Sequence, residues 1–226
     1  MKITVLTLFP DIFKPVLESS ILGRAVKNGH IAYELVDIRQ FGEGPHQVVD
    51  DRPYGGGVGM VFKADILVKA LKSVIQDTSK AHVILTSAAG TNYTQAKAKE
   101  YSTIEHLVII CGHYEGVDQR FIDSYVDEEI SIGDYVLTGG EVPAMVIIDS
   151  ITRLLPGVLE AEATENESFT NPNLLEHPHY TRPEVFEGQA VPEVLLSGNH
   201  KEIKKWRDEQ SEIKTRKNRP DLIQKD

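Results

Sequence analysis

Along residues 2–155, runs of apolar positions with the period of a strand alternate with runs that have the period of a helix. Residues 2–8 are rich in β-branched side chains and predict a first strand. Pro10-Asp11 opens a helical stretch that ends near Asn28-Gly29, a good C-terminal stop. Residues 31–38 predict a second strand. Residues 40–60 are rich in glycine and proline around Asp50-Asp51-Arg52-Pro53-Tyr54-Gly55-Gly56-Gly57, a loop too long to be mere connection. A helix follows over 64–75, then a short buried strand over 82–85 that runs into a turn at 86–90. A helix around 94–100 precedes the continuous apolar run 107–111, the pattern of a parallel strand covered on both faces. That run enters Gly112-His113-Tyr114-Glu115-Gly116. Another short helix and strand lead to Ile132-Gly133-Asp134-Tyr135-Val136-Leu137-Thr138-Gly139-Gly140-Glu141. An apolar helix over 143–155 ends at Pro156-Gly157.

This alternation predicts an α/β fold with a mainly parallel sheet. Three loops, at 86–90, 112–116 and 131–140, follow strands, and ligands of such sheets bind outside the carboxyl ends of the strands. Glycine there lets backbone approach a ligand closely, so a small-molecule site is expected. After Gly157 the character changes. Residues 160–173 are polar and read as a flexible linker; residues 174–226 form a small tail domain with Pro178, Pro183 and Pro192 at its entry. Helical stretches are expected over 199–212 and, briefly, after Pro220. The expected division is 1–159, 160–173 and 174–226.

Composition narrows the classes. With 226 residues and 41% hydrophobic content the chain suits one large domain or one domain with an appendage. No segment approaches the ~20 apolar residues that span a bilayer, and the N-terminal apolar run lacks the cleavage site of a signal peptide. A lone cysteine, Cys111, excludes an intrachain disulfide and fits a reducing, cytoplasmic setting. The net charge of −10 argues against a general nucleic-acid binder. The charge is uneven, however. Between 201 and 219, eight basic residues (Lys201, Lys204, Lys205, Arg207, Lys214, Arg216, Lys217, Arg219) face four acidic ones, a local patch that suits either RNA or a solvated helical face.

Walker A, the dinucleotide fingerprint and the serine-hydrolase elbow are all absent. His177 and His179 form a His-x-His pair, but no third ligand stands at a fixed spacing, so no metal site is expected. Glu115, Asp134, Glu141 and Glu167 are candidate acid–base groups. Arg153 lies in an apolar stretch where an uncompensated guanidinium would be expensive, so it should reach a partner or a ligand.

The motifs at 50–57, 111–116 and 132–141 resemble those of bacterial tRNA (guanine-N1)-methyltransferases, which act at position 37. So do His179-Tyr180-Thr181-Arg182-Pro183 and Leu195-Leu196-Ser197-Gly198-Asn199-His200. The match runs almost end to end and in order. The resemblance implies a sheet with a deep trefoil knot (the SPOUT type), a helical tRNA-binding C-terminal domain, and an obligate homodimer with its active site at the subunit interface. It implies S-adenosylmethionine as donor, held by Leu85, Thr86, Ser87, Gly112, Tyr114, Gly116, Ile132, Gly133, Tyr135, Leu137, Gly139, Gly140 and Pro143. Glu167 matches the family's catalytic base and Arg153 the arginine that stabilises the guanine O6; Glu115, Asp50, Ser168 and His179 match substrate-binding positions. The family is also associated with a magnesium (Mg2+) requirement, for which the sequence shows no site.

The chain departs from the pattern in three places. Glu167-Ser168-Phe169 stands where the family carries an aspartate before Ser-Phe, after a one-residue gap. Ala88 stands where many members have proline, which should loosen that turn. The chain ends at Asp226, so the last helix is expected to be trimmed. Two alternatives stay open on these grounds: a knotted methyltransferase with another RNA target, and a non-catalytic RNA-binding relative.

Overall fold

Strand β1 (Lys2–Thr7) lies at the centre of a sheet because both of its faces are apolar or carry small hydroxyls: all of its residues but Lys2 are buried. A short 3-10 turn (Pro10–Ile12) and helices α1 (Lys14–Leu17) and α2 (Ser20–Lys27) follow, then β2 (Ala32–Asp37). The long helix expected over 10–28 is therefore three short pieces. The break falls at Ser19-Ser20, where Ser20 takes a positive φ of 49° that no helix continues through. The computed structural model describes residues 1–75, 80–160 and 162–223; position 161 of the expected linker and the last residues of the expected trimmed helix, 224–226, lie outside them.

β3 (Asp50–Asp51) and β4 (Val61–Phe62) pair antiparallel at the base of the glycine loop, and α3 (Ala64–Val74) follows. Next come β5 (His82–Asn92), α4 (Gln95–Tyr101), β6 (His106–Cys111), α5 (Gln119–Tyr125), β7 (Glu128–Ser131) and α6 (Glu141–Thr152). The main sheet runs β2-β1-β6-β5-β7 and every pairing in it is parallel. The mainly parallel α/β architecture expected from the sequence is present.

Alternation along the strands sends each side chain to one of two cores. Ile3, Val5, Leu107 and Ile109 face α2, α4 and α6, where they meet Leu22, Tyr101, Ile147 and Ile151. Leu6, Val108 and Ile110 face α3 and α5, where they meet Ile66, Leu67, Leu71 and Phe121. At about 25 cal/mol per Å² of apolar surface, these two layers dominate the stability of the unit.

β5 does not stop at Leu85. It pairs with β7 up to Thr86↔Ile130, then resumes at Thr91↔Ile130, so residues 87–90 form a bulge inside one strand. Only a glycine fits at 90: a Cβ there would meet the carbonyl carbon of Glu129 at 2.5 Å. The expected turn at 86–90 is thus an excursion from a continuing strand.

The chain divides into two compact units, Met1–Leu159 and Glu160–Asp226. In the second, residues expected to act as a linker carry a short helix, α7 (Glu162–Glu165). Internal bonds organise the residues after α7: Phe169 N donates to Leu174 O at 3.1 Å and Glu176 N to Ser168 Oγ at 3.0 Å. The second unit is not purely helical. β8 (Val185–Phe186) and β9 (Gln189–Ala190) form a hairpin whose turn, Glu187-Gly188, has φ of 50° and 79°, as a type I′ turn needs. Then come α8 (Glu193–Leu196) and α9 (His200–Asn218), which runs past the expected end at 212, where buried Thr215 accepts from Leu175 N at 2.9 Å. No helix of the described residues is long and apolar enough to cross a membrane.

Candidate active site

The carboxyl ends of β5, β6 and β7 meet around a cleft of about 430 Å³, within the range of small-ligand sites. All thirteen positions matched to the donor pocket line it: Leu85, Thr86, Ser87, Gly112, Tyr114, Gly116, Ile132, Gly133, Tyr135, Leu137, Gly139, Gly140 and Pro143. Glu115 lines it too. Three far-apart stretches converge because Thr86, buried at the end of β5, shares its hydroxyl between the carbonyls of Ile110 (3.2 Å) and Gly140 (3.3 Å). Gly112 N donates back to Thr86 Oγ1, and Gly140 N donates to Gly112 O at 2.7 Å. The floor is therefore backbone and one hydroxyl. Gly140 has to be glycine, since a Cβ would meet Gly112 N at 2.6 Å and Cys111 Cα at 2.9 Å.

One wall is the loop after β7. Ser131 Oγ donates to Gly133 O at 3.0 Å, and the Tyr135 hydroxyl donates to Ile132 O at 3.3 Å, folding the tyrosine ring against Gly133. The opposite rim is Gly112–Gly116, where Tyr114 takes a positive φ of 59° and sets its ring edge-on to Phe62 at 5.2 Å. Among the described residues the cleft lining carries the carboxylates of Glu115 and Glu129, and no lysine or arginine. Its electrostatics suit a cation.

The glycine loop docks on this rim. Glu115 N donates to Met60 O at 3.0 Å, and Phe62 N to Gly116 O at 3.0 Å. Gly55, Gly56, Gly57 and Gly59 all have positive φ, between 81° and 121°, so the loop's course requires glycine. The Glu115 side chain lies directly on Gly59. Asp50, in β3, is near enough to Tyr114 to act on it: burial raises the phenol above its ordinary pKa, and the Asp50 charge adds to that. Asp50, Glu115 and Tyr114 thus gather on one side of the cleft.

Other candidates fall elsewhere. Asp134 is exposed and does not line the cleft. Glu141 is buried beneath it, accepting from Thr7 Oγ1 at 2.9 Å, so it holds β1 to the start of α6. Arg153 is not inside the apolar helix: α6 ends at Thr152, and half-buried Arg153 is its C-cap, where a cation suits the helix dipole. Glu167, Ser168 and His179 belong to the second unit, where His179 Nε2 contacts Glu176 Oε1 at 2.8 Å. Sequence reasoning passed over His113, which lines the cleft between Phe9 and Tyr114 with a buried Nδ1 that has no hydrogen-bond partner among the described residues. Its place inside the motif at 112–116 was the available signal.

A parallel sheet whose strand ends close glycine-rich backbone around one cation-tolerant cleft defines a protein that binds a small charged ligand at its topological centre. The family model for tRNA (guanine-1)-methyltransferase TrmD matches residues 1–225. A tRNA (guanine-N(1)-)-methyltransferase of Listeria innocua serovar 6a is 51% identical over 226 residues, covering 99% of this chain and 92% of that protein. Those of Mycoplasma capricolum subsp. capricolum and Mycoplasma mycoides subsp. mycoides are each 52% identical over 224 residues, with the same coverage. The chain belongs to the tRNA (guanine-1)-methyltransferase family.

Proposed function

We propose that the cleft at the ends of β5, β6 and β7 is the donor site of a methyl transfer to N1 of guanine 37 in tRNA. The chain is an S-adenosylmethionine-dependent tRNA (guanine-N1)-methyltransferase and, like its family, works on tRNA as a homodimer. The placement of its residues is the further reading. The observation that carries it is the convergence of all thirteen matched positions on one cleft.

The cleft fits the donor by shape and charge. The Gly112 carbonyl, which accepts from Gly140 N and keeps a second lone pair, can accept from an adenosine, while Leu85, Ile132, Leu137 and Pro143 cover its apolar faces. When bound, S-adenosylmethionine supplies an electrophilic methyl on a positively charged sulfur, which the carboxylates of Glu115 and Glu129 favour. Among the described residues the one converging group of three potential ligands is Glu176, His177 and His179, which is not the oxygen set that magnesium takes.

Guanine N1 carries a proton at neutral pH and is a poor nucleophile until it leaves. Glu167 is assigned its removal, as general base. Arg153 sets its guanidinium against O6, where negative charge grows as the proton departs. Glu115 accepts from the guanine edge, with Asp50, Ser168 and His179 as further tRNA contacts. The base and the donor cleft come from different protomers in this reading. α6, though apolar, leaves Val142 and Val146 exposed, a surface suited to a second copy. The knotted path of the sheet and a cytoplasmic setting belong to the same reading.

The test is nucleoside analysis of tRNA transcripts incubated with the protein and donor. N1-methylguanosine that disappears when guanine 37 is replaced is the expected product. A 2′-O-methyl nucleoside, or tRNA and donor binding without product, would overturn the assignment in favour of a different target or a non-catalytic relative.

A further inference from the structure

Glu176, His177 and His179 of the second unit form the one group of three His, Cys, Asp or Glu side chains that converge among the described residues. One potential ligand atom from each lies within 4.8 Å of the other two. We propose that this group binds a transition-metal dication of the Zn2+ class. The sequence offers only His-x-His; the third ligand is supplied by the residue just before it, whose Oε1 stands 2.8 Å from His179 Nε2.

The geometry needs little adjustment. Ligand atoms about 2.0–2.1 Å from a tetrahedral ion stand ~3.4 Å apart, so binding draws the three atoms closer than the 4.8 Å that bounds them here. The rings of His177 and His179 are 4.7 Å apart between centroids. His177 Nδ1 faces the Pro178 carbonyl at 3.1 Å. A carbonyl only accepts, so Nδ1 carries the proton and Nε2 keeps the lone pair a metal takes. This is the outer support that orients metal-binding imidazoles. Glu176 is supported as well, since its backbone N–H donates to Ser168 Oγ at 3.0 Å. Binding replaces the hydrogen shared by His179 and Glu176 with the ion and releases any proton held by the imidazoles to solvent.

The donor set chooses the ion. Two imidazoles and one carboxylate suit Zn2+, Co2+ or Ni2+ and leave a fourth position open. Mg2+ takes oxygen ligands in octahedral array. The histidines also line a cavity with Glu184, Arg182 and Arg207. With the ion bound, His179 reaches RNA only through that open position. The ion also fixes Glu176, and through it the turn at Ser168, next to Glu167. The site does not depend on the reading of the reaction, and its test reads binding rather than methylation.

Untagged full-length protein is dialysed against Zn2+ and metal content is measured per chain; Co2+ is titrated in parallel and its visible d–d absorption recorded. One ion per chain and intense low-symmetry Co2+ bands are expected. Both should be lost in His177→Ala and in His179→Ala and kept in His200→Ala. Glu176→Gln, the milder change, should lower affinity by about 10–100-fold. Sub-stoichiometric metal, octahedral Co2+ bands, or wild-type affinity in either histidine variant would overturn the proposal.

Discussion

Thr86 Oγ1 lies 3.3 Å from the carbonyl oxygen of Gly140, and a Cβ placed on Gly140 would strike that hydroxyl and the backbone of Cys111 and Gly112 behind it. The hydroxyl could turn away; the backbone of β6 could not. Gly140→Ala should therefore push the loop after β7 off the end of β6. Overpacking of this kind costs about 1–3 kcal/mol. Donor affinity should fall by more than about tenfold, because the displaced loop is a wall of the cleft. Calorimetric titration with S-adenosylmethionine and chemical unfolding measure the two effects, and unchanged affinity would place the donor elsewhere.

Arg153 caps α6 rather than lying within it, so its removal spares the hydrophobic face formed by Ile147, Ile148 and Ile151. Arg153→Ala should lower the single-turnover methylation rate by roughly 10²–10³, the cost of one donor aimed at a developing oxyanion. Donor affinity should hold. A drop confined to KM for tRNA would assign Arg153 to binding instead.

How much of this was legible in the sequence differs from element to element. β6 was readable because 107–111 is an unbroken apolar run, which suits a strand buried on both faces, and β1 because it is rich in β-branched residues. The cleft was readable because glycines mark where backbone must come close, as Gly140 does against Gly112. The bulge in β5 was not, since it exists only as a shift of register against β7, a strand some 40 residues on. Glu141 read as a candidate acid and is a buried partner of Thr7, a contact 134 residues apart in sequence. The break at Ser20 was hidden because serine is compatible with helix, and only its φ shows the chain turning. Glu176 escaped notice as a ligand because only the structure shows its carboxylate meeting the His179 ring.

On the proposed alignment Glu167 takes the place of the family's aspartate, and its longer side chain sets the carboxylate one methylene further out. A misplacement of ~1 Å can cost about 10²-fold in rate. Glu167→Gln should nearly abolish methylation and leave donor binding intact. Glu167→Asp discriminates further. If the segment has adapted to glutamate, the rate falls; if the shorter family residue is equally served, it holds within a few-fold. Full activity in Glu167→Gln would remove the residue from its role.

The sheet edge carries an acid-sensitive contact. Glu128, in β7, accepts from Lys97 Nζ at 2.9 Å and lies 3.1 Å from His82 Nε2. Burial works to raise its carboxyl, but the Lys97 ammonium and the His82 ring outweigh it and hold the pKa below the usual carboxylate range. A depressed folded value means that the contact stabilises the fold fully above the unfolded carboxylate pKa of about 4.3 and loses that contribution as pH falls through the folded value. Urea midpoints taken from about pH 7 down to about pH 3 should fall more steeply for the native chain than for Glu128→Gln. Parallel curves would show the ion pair to be thermodynamically silent.

Helix α9 decides whether the basic stretch is an RNA surface or only a solvated face. Asn199 caps it by accepting from Glu202 N, and the far end carries Lys214, Arg216 and Lys217. Arg216 is 3.9 Å from Glu212 and highly exposed, a pair worth little in water and easily exchanged for a phosphate. On a protein of net charge −10, tRNA affinity has to come from such local patches. Each phosphate neutralised releases counterions and contributes about 0.7–0.9 to the slope of log affinity against log salt. Reversing Lys214, Arg216 and Lys217 to glutamate together should flatten that slope by roughly 2–3 and weaken binding most at low salt. S-adenosylmethionine affinity, read by calorimetry on the same variant, should not change. A slope equal to that of the native chain would return α9 to the role of a solvated helix and move the RNA surface elsewhere.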